Sequence, residues 1–259
     1  MAFEFTFTKK QEFLRETIRG LTKHVIRPQS LAWDKAHGIP EEFLRTMATL
    51  NTSMTSSAKK DDSEKAEKVE PTGNFGMKNL DTLLVTEELA WGDAALPLCM
   101  PGPGLGGPPV RGTGTPEQKK RYMGIFEDMS ETLKWGAYAL TEPGAGSDVA
   151  GIRTSCRKEG NEWVLNGRKC YITNGARASW NVVFATIDPS LGRAGHRAFV
   201  VEKGTKGFSV GRIEEKMGLR ASETAELVLE DCRVSDECLL GGEDSYLSLI
   251  HISEPTRPY

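Results

Sequence analysis

The 259-residue sequence has no C-x-x-C pair, no grouped histidines and no apolar run of the roughly eighteen residues that would cross a bilayer. Its five cysteines, Cys99, Cys156, Cys170, Cys232 and Cys238, are odd in number and scattered. That argues against a disulfide framework and a zinc site, and fits a reducing compartment. His24, His37 and His196 stand singly, which gives a metal centre or a catalytic triad little support. Net charge is also scarce: 33 basic and 36 acidic residues leave −3, with no basic patch interleaved with aromatics. Neither nucleic acid nor an anionic membrane is therefore expected as a partner. The first dozen residues carry charge and polarity where a secretory leader needs an unbroken apolar core, so a cytoplasmic location is expected.

What is present has the composition of a globular protein, 38% hydrophobic and 27% charged. Phe13, Ile18, Leu21, Val25 and Ile26 recur at near-helical spacing between Lys9 and Ala36, a pattern that Pro28 is expected to break. Phe43, Leu44, Met47 and Leu50 repeat the pattern from Glu41, and Leu80, Leu83, Leu84, Val85 and Leu89 do so from Asn79 to Trp91. Between them, residues 51–74 hold almost no large apolar side chain and read as a mobile insertion. The Gly- and Pro-rich stretch around Gly104 lacks G-x-G-x-x-G spacing and reads as a connector. Thr115-Pro116 then opens a short helix through Phe126.

From Lys134 the grain changes to short β-branched and aromatic segments: KWGAYALT, EWVLNG, KCYITNG, WNVVFATI, RAFVVEKG, FSVGRI and AELVLEDCRV. Asn166-Gly167 and Asn174-Gly175 are turn dipeptides, the first expected at a hairpin tip. The fold class is α+β: a helical N-terminal domain over 1–133, then a small antiparallel barrel or sandwich over 134–242.

Two segments carry chemistry. In the first, a strand ending at Thr141 feeds a turn with Pro143, Gly144 and Gly146, where backbone N–H groups can approach a ligand. In the second, Tyr171-Ile172-Thr173 ends a neighbouring strand. Together they form one wall for a flat, heteroatom-edged ring, with Tyr171 as stacking surface and Thr141 and Thr173 as hydrogen-bond donors. Taken singly, the threonines are ordinary strand residues, Tyr171 a core aromatic and Ser147-Asp148 a turn or cap.

The pair TEPGAGSDVAGI (141–152) and LNGRKCYITNG (165–175), with KMGLRASETAELVLEDCRV (216–234), resembles the signature of the acyl-CoA dehydrogenase family from about Lys9 to Gly242. The resemblance implies FAD as cofactor, held by Tyr138, Ala139, Leu140, Thr141, Gly146, Ser147, Tyr171, Ile172 and Thr173. Ser147 would also touch the acyl-CoA, whereas Arg193 matches too loosely to be assigned. Tyr171 stands where the family more often has tryptophan. The implied reaction is oxidation of an acyl-CoA to the trans-2-enoyl-CoA, by α-proton removal and β-hydride transfer to FAD. Electron transfer flavoprotein is the implied electron acceptor and a homo-oligomer the implied full-length assembly. The proton-removing base is implied in a C-terminal helical domain, so no catalytic residue is assigned here. Glu142 is read as a structural carboxylate that satisfies backbone donors.

Residues 243–259 have no place in the family pattern, and LSLIHISEPTRP resembles a translated sequencing adapter. A truncated, inactive fragment with a non-native tail is the expectation. Two other readings stay open: an acyl-CoA oxidase or related flavoprotein on the same scaffold, and a non-catalytic flavin- or acyl-CoA-binding module.

Overall fold

The computed structural model describes residues 6–49, 79–129 and 131–242. The expected insertion at 51–74 and the tail 243–259 lie outside the described residues. Within them the chain is α+β, helices preceding a seven-stranded sheet. It divides into two compact units, one of Met1–Met100 with Lys216–Ser222, the other of Pro101–Glu215 with Glu223–Tyr259. Compactness thus divides the chain at Pro101, whereas composition changes at Lys134.

The first unit begins with α1 (Lys9–Leu21), opened by a capping box in which Thr8 and Gln11 satisfy each other's backbone N–H groups. A π-turn, Thr22–Ile26, leads into α2 (Arg27–Ala36). Pro28 does not break the helix as expected. It sits in the first turn of α2, and the widened turn before it absorbs the missing N–H donor. Helix α3 spans 41–49, α4 Asn79–Gly92 and α5 Leu96–Cys99. Gly92 lets α4 cross the π-turn closely, since a Cβ there would lie 2.3 Å from Thr22 Cγ2. Trp91 stacks between the guanidinium groups of Arg19 and Arg27, at 4.1 and 4.3 Å from its ring centre.

In the second unit, α6 (Gly107–Thr113) and α7 (Pro116–Gly124) precede the sheet. Thr115 caps α7 with Pro116 in its first turn, as its sequence predicts. The strands are β1 (Gly136–Ala139), β2 (Ser155–Glu159), β3 (Glu162–Thr173), β4 (Trp180–Thr186), β5 (His196–Glu202), β6 (Phe208–Ile213) and β7 (Thr224–Ser235). They run in the order β1-β4-β2-β3-β7-β6, with β5 also on β4. The sheet is mixed rather than antiparallel throughout, because β1 and β2 both pair with β4 in parallel. β4 is buried along its whole length, which is why WNVVFAT reads as a nearly unbroken apolar run. Trp180, Val182 and Phe184 join Tyr122, Ile152, Ala198, Val200 and Leu240 in the core.

Asn166-Gly167 is not a hairpin tip. EWVLNG and KCYITNG are one strand, β3; the register shifts there because β7 carries an extra residue, Leu165 pairing with Cys232 and Gly167 with Leu229. Gly167 has φ +155° there, and a Cβ would lie 2.5 Å from Thr154 Oγ1. The tip falls instead at Gly160-Asn161, between the paired Glu159 and Glu162. Asn174, at φ +59°, does begin a turn, with Gly175 N–H donating to Ile172 O at 3.1 Å.

Candidate ligand-binding site

The Gly-rich connector lies directly over β1, where Gly136 leaves room for it. A Cβ on Gly106 would stand 2.5 Å from both Ala137 O and the Trp180 ring. Along β1 the side chains turn inward: Ala139 is fully buried, and Tyr138 and Leu140 pack on the core cluster. The Tyr138 ring lies 5.0 Å from that of Phe184, and burial pushes its hydroxyl pKa up to about 12. Thr141, the next residue, is half-buried, and its hydroxyl has no intramolecular partner among the described residues.

The chain then folds into a tight turn in which Glu142 and Ala145 exchange backbone hydrogen bonds of 3.0 and 3.1 Å. Gly144 and Gly146 follow with ordinary φ, and a Cβ on either would meet nothing within 4 Å. Neither backbone geometry nor packing requires glycine at these two positions. They leave an open strip of main chain, beside which Ser147 and Asp148 are exposed. The Glu142 carboxylate closes the loop from beneath, accepting from Arg153 N at 2.7 Å and Thr154 N at 3.0 Å. Glu142 is therefore the structural carboxylate its sequence position suggests.

The second segment comes from β3, which carries one extra residue against β7 between Lys169 and Ile172. That bulge throws Tyr171 into a left-handed conformation, φ +58°, and leaves it 64% exposed. A left-handed aromatic residue inside a strand is unusual, and such outliers gather where a side chain is presented to a ligand. Ile172 points the other way and is buried, while Thr173 is half-buried beside Thr224 of β7. The Thr173 hydroxyl, like that of Thr141, has no intramolecular partner among the described residues.

The fold brings the two segments together. Cys170 N–H donates to Thr141 O at 2.9 Å. Lys169, wholly buried, donates from Nζ to Leu140 O at 3.0 Å and to Glu142 Oε1 at 2.7 Å. Burial draws the Lys169 ammonium down to about 8 against the pull of Glu142. Burial opposes ionisation of Glu142 as well, yet Lys169 and the backbone donors hold its carboxyl below the usual range. His196, also buried, is lowered by burial. Sequence reasoning missed Lys169; the only signal was an acidic residue in the turn that needed a cation.

Among the described residues no His, Cys, Asp and Glu group is arranged to hold a metal, and no helix is long and apolar enough to cross a membrane. The free hydroxyls of Thr141 and Thr173, the presented ring of Tyr171 and the open glycine strip fit a planar, polar-edged cofactor with a polar tail.

Comparison with known proteins identifies the family. The family profile described as "Acyl-CoA dehydrogenase, N-terminal domain" matches residues 8–126, and that described as "Acyl-CoA dehydrogenase, middle domain" matches 137–232. A probable medium-chain specific acyl-CoA dehydrogenase of Caenorhabditis briggsae is 35% identical over 245 residues, covering 93% of this chain and 56% of the relative. Butyryl-CoA dehydrogenase from Megasphaera elsdenii superposes with a TM-score of 0.75 at 31% identity, over 93% of this chain and 61% of that one. A glutaryl-CoA dehydrogenase of Mycobacterium smegmatis, solved in complex with FADH2, gives 0.73 at 27%, over 93% and 58%. The chain thus spans less than two thirds of the length of each of these proteins.

Proposed function

Since the chain belongs to the acyl-CoA dehydrogenase family, we propose that it forms the N-terminal and middle portion of an FAD-dependent enzyme oxidising an acyl-CoA to the trans-2-enoyl-CoA. The observation that carries this is the wall itself: two unpartnered threonine hydroxyls, on segments stitched together, flanking an aromatic ring held out at φ +58°. FAD bound there would supply the hydride acceptor. Thr141 and Thr173 would donate to the polar edges of its ring and Tyr171 would cover a face, so that these residues would orient the ring and set its environment. Gly144 and Gly146 would let the backbone come close to the cofactor, and the exposed Ser147 would touch the acyl-CoA.

Glu142 is not the base that removes the α-proton. Its carboxylate already accepts from Lys169 and two backbone N–H groups, so a substrate proton would have to displace a buried ion pair. Electron transfer flavoprotein as acceptor, and assembly into a homo-oligomer, complete the proposal.

Titrating the protein with FAD and following flavin fluorescence tests it. Saturable quenching is expected, and Thr173→Val should weaken it by about tenfold, the worth of one hydrogen bond to a ligand. The melting temperature should stay unchanged, because the hydroxyl holds nothing else. Absence of saturable binding in the unsubstituted protein would overturn the proposal.

A further inference from the structure

Beyond the residues that face the ligand, one buried side chain ties the two halves of the wall together. Lys169 is fully buried on β3, and its ammonium donates to Leu140 O and Glu142 Oε1, the residues on either side of Thr141. The next residue, Cys170, donates its N–H to the carbonyl of Thr141 itself. Three successive residues of one segment are thus held by two successive residues of the other, and Tyr171 follows immediately.

Stability alone does not call for a lysine here. Desolvating an ammonium is expensive, and apolar replacement of a buried ion pair is often neutral or stabilising. What an apolar side chain does not supply is a donor that reaches both Leu140 and Glu142. The first contact holds the backbone before Thr141 and the second the carboxylate of the residue after it, and with Cys170 N–H on the Thr141 carbonyl they set where Thr141 sits against β3. Displacements of about 1 Å in such a wall weaken binding and catalysis strongly.

We propose that Lys169 is a positioning residue for the flavin wall, acting through Thr141; this rests on the reading of the wall as an FAD site. The test is a double-substitution cycle read by FAD affinity and by the visible absorption of bound flavin. Lys169→Met and Thr141→Val should each weaken FAD binding by about tenfold. The double variant should bind no more weakly than Lys169→Met alone, because Thr141 is already misdirected there. The flavin band of Lys169→Met should shift in the same direction as that of Thr141→Val, which a purely structural role would not produce. Lys169→Arg, which keeps the charge and donors, should recover part of the affinity.

The proposal is overturned if Lys169→Met binds FAD with the affinity and spectrum of the unsubstituted protein, or if the two effects multiply in the double variant. Should Lys169→Met fail to fold, Lys169→Gln takes its place under the same criteria. An unsubstituted protein without saturable FAD binding sinks the site reading itself, and this inference with it.

Discussion

Glu142 follows Thr141 of the candidate wall, yet its own carboxylate faces inward. Its folded-state pKa lies below the ordinary carboxylate value of 4.5, despite burial, because Lys169 and two N–H groups favour the charged form. The sign follows: above pH 4.5 its contribution to stability is fully present, and it is lost as pH falls through the folded value. Replacing it by glutamine leaves a buried ammonium without a counter-charge and is expected to destabilise the protein by about 3 kcal/mol at neutral pH. Denaturant melts from pH 7 to pH 3 should then show the gap between the parent and Glu142→Gln narrowing on acidification. A constant gap would mean the ion pair contributes nothing. Thr141, Tyr171 and Thr173 stand out in the sequence as candidates because their types and spacing form a pattern. The sequence hid Lys169, whose role depends on the segment after β1 meeting β3, a relation that no local spacing encodes.

At the scale of elements, legibility followed burial. β4 is legible because a central strand is apolar along its length and β5 because residues 198–201 are buried, whereas β2, Ser155–Glu159, is polar apart from Cys156 and carries no such signal. The irregularity at Asn166-Gly167, opposite the extra residue of β7, reads in the sequence as a chain break, since Asn-Gly is a turn signal whether it ends a strand or sits within one. Glycines divide in the same way between scaffold and site. Gly106 is fixed by backbone and a rigid indole ring, so Gly106→Ala should destabilise by about 1–3 kcal/mol, as other overpacking changes do. Gly144 faces open space, so Gly144→Ala should leave the melting temperature unchanged and reduce FAD binding. Paired thermal melts and flavin titrations separate the two; a stable Gly106→Ala would show that the connector can lift off β1.

Over the whole molecule, the chain enters the helical unit twice. Residues Lys216–Ser222 belong to that unit, although the chain on either side of them continues into β6 and β7. This second entry is what a division by sequence order does not show, because composition reports where polarity changes and not which distant segment completes a core. Within the unit, Arg220 anchors the segment: its backbone N–H and Nε donate to the two carboxylate oxygens of Asp34 at 2.9 and 2.7 Å. These bonds hold the Asp34 carboxyl below its usual pKa. The segment is otherwise cross-tied by Lys216 Nζ and Ser222 N–H, which both donate to Leu219 O, and Leu219 itself stands at φ +52°. Asp34→Ala removes both acceptors from Arg220 at once, with little loss of apolar packing. The expected result is faster hydrogen exchange at the Arg220 amide and its neighbours, and a melting temperature lower by about 2–4 °C. Exchange at residues 216–222 that matches the unsubstituted protein would mean that the turn's own bonds, and not Asp34, keep the segment in the helical unit.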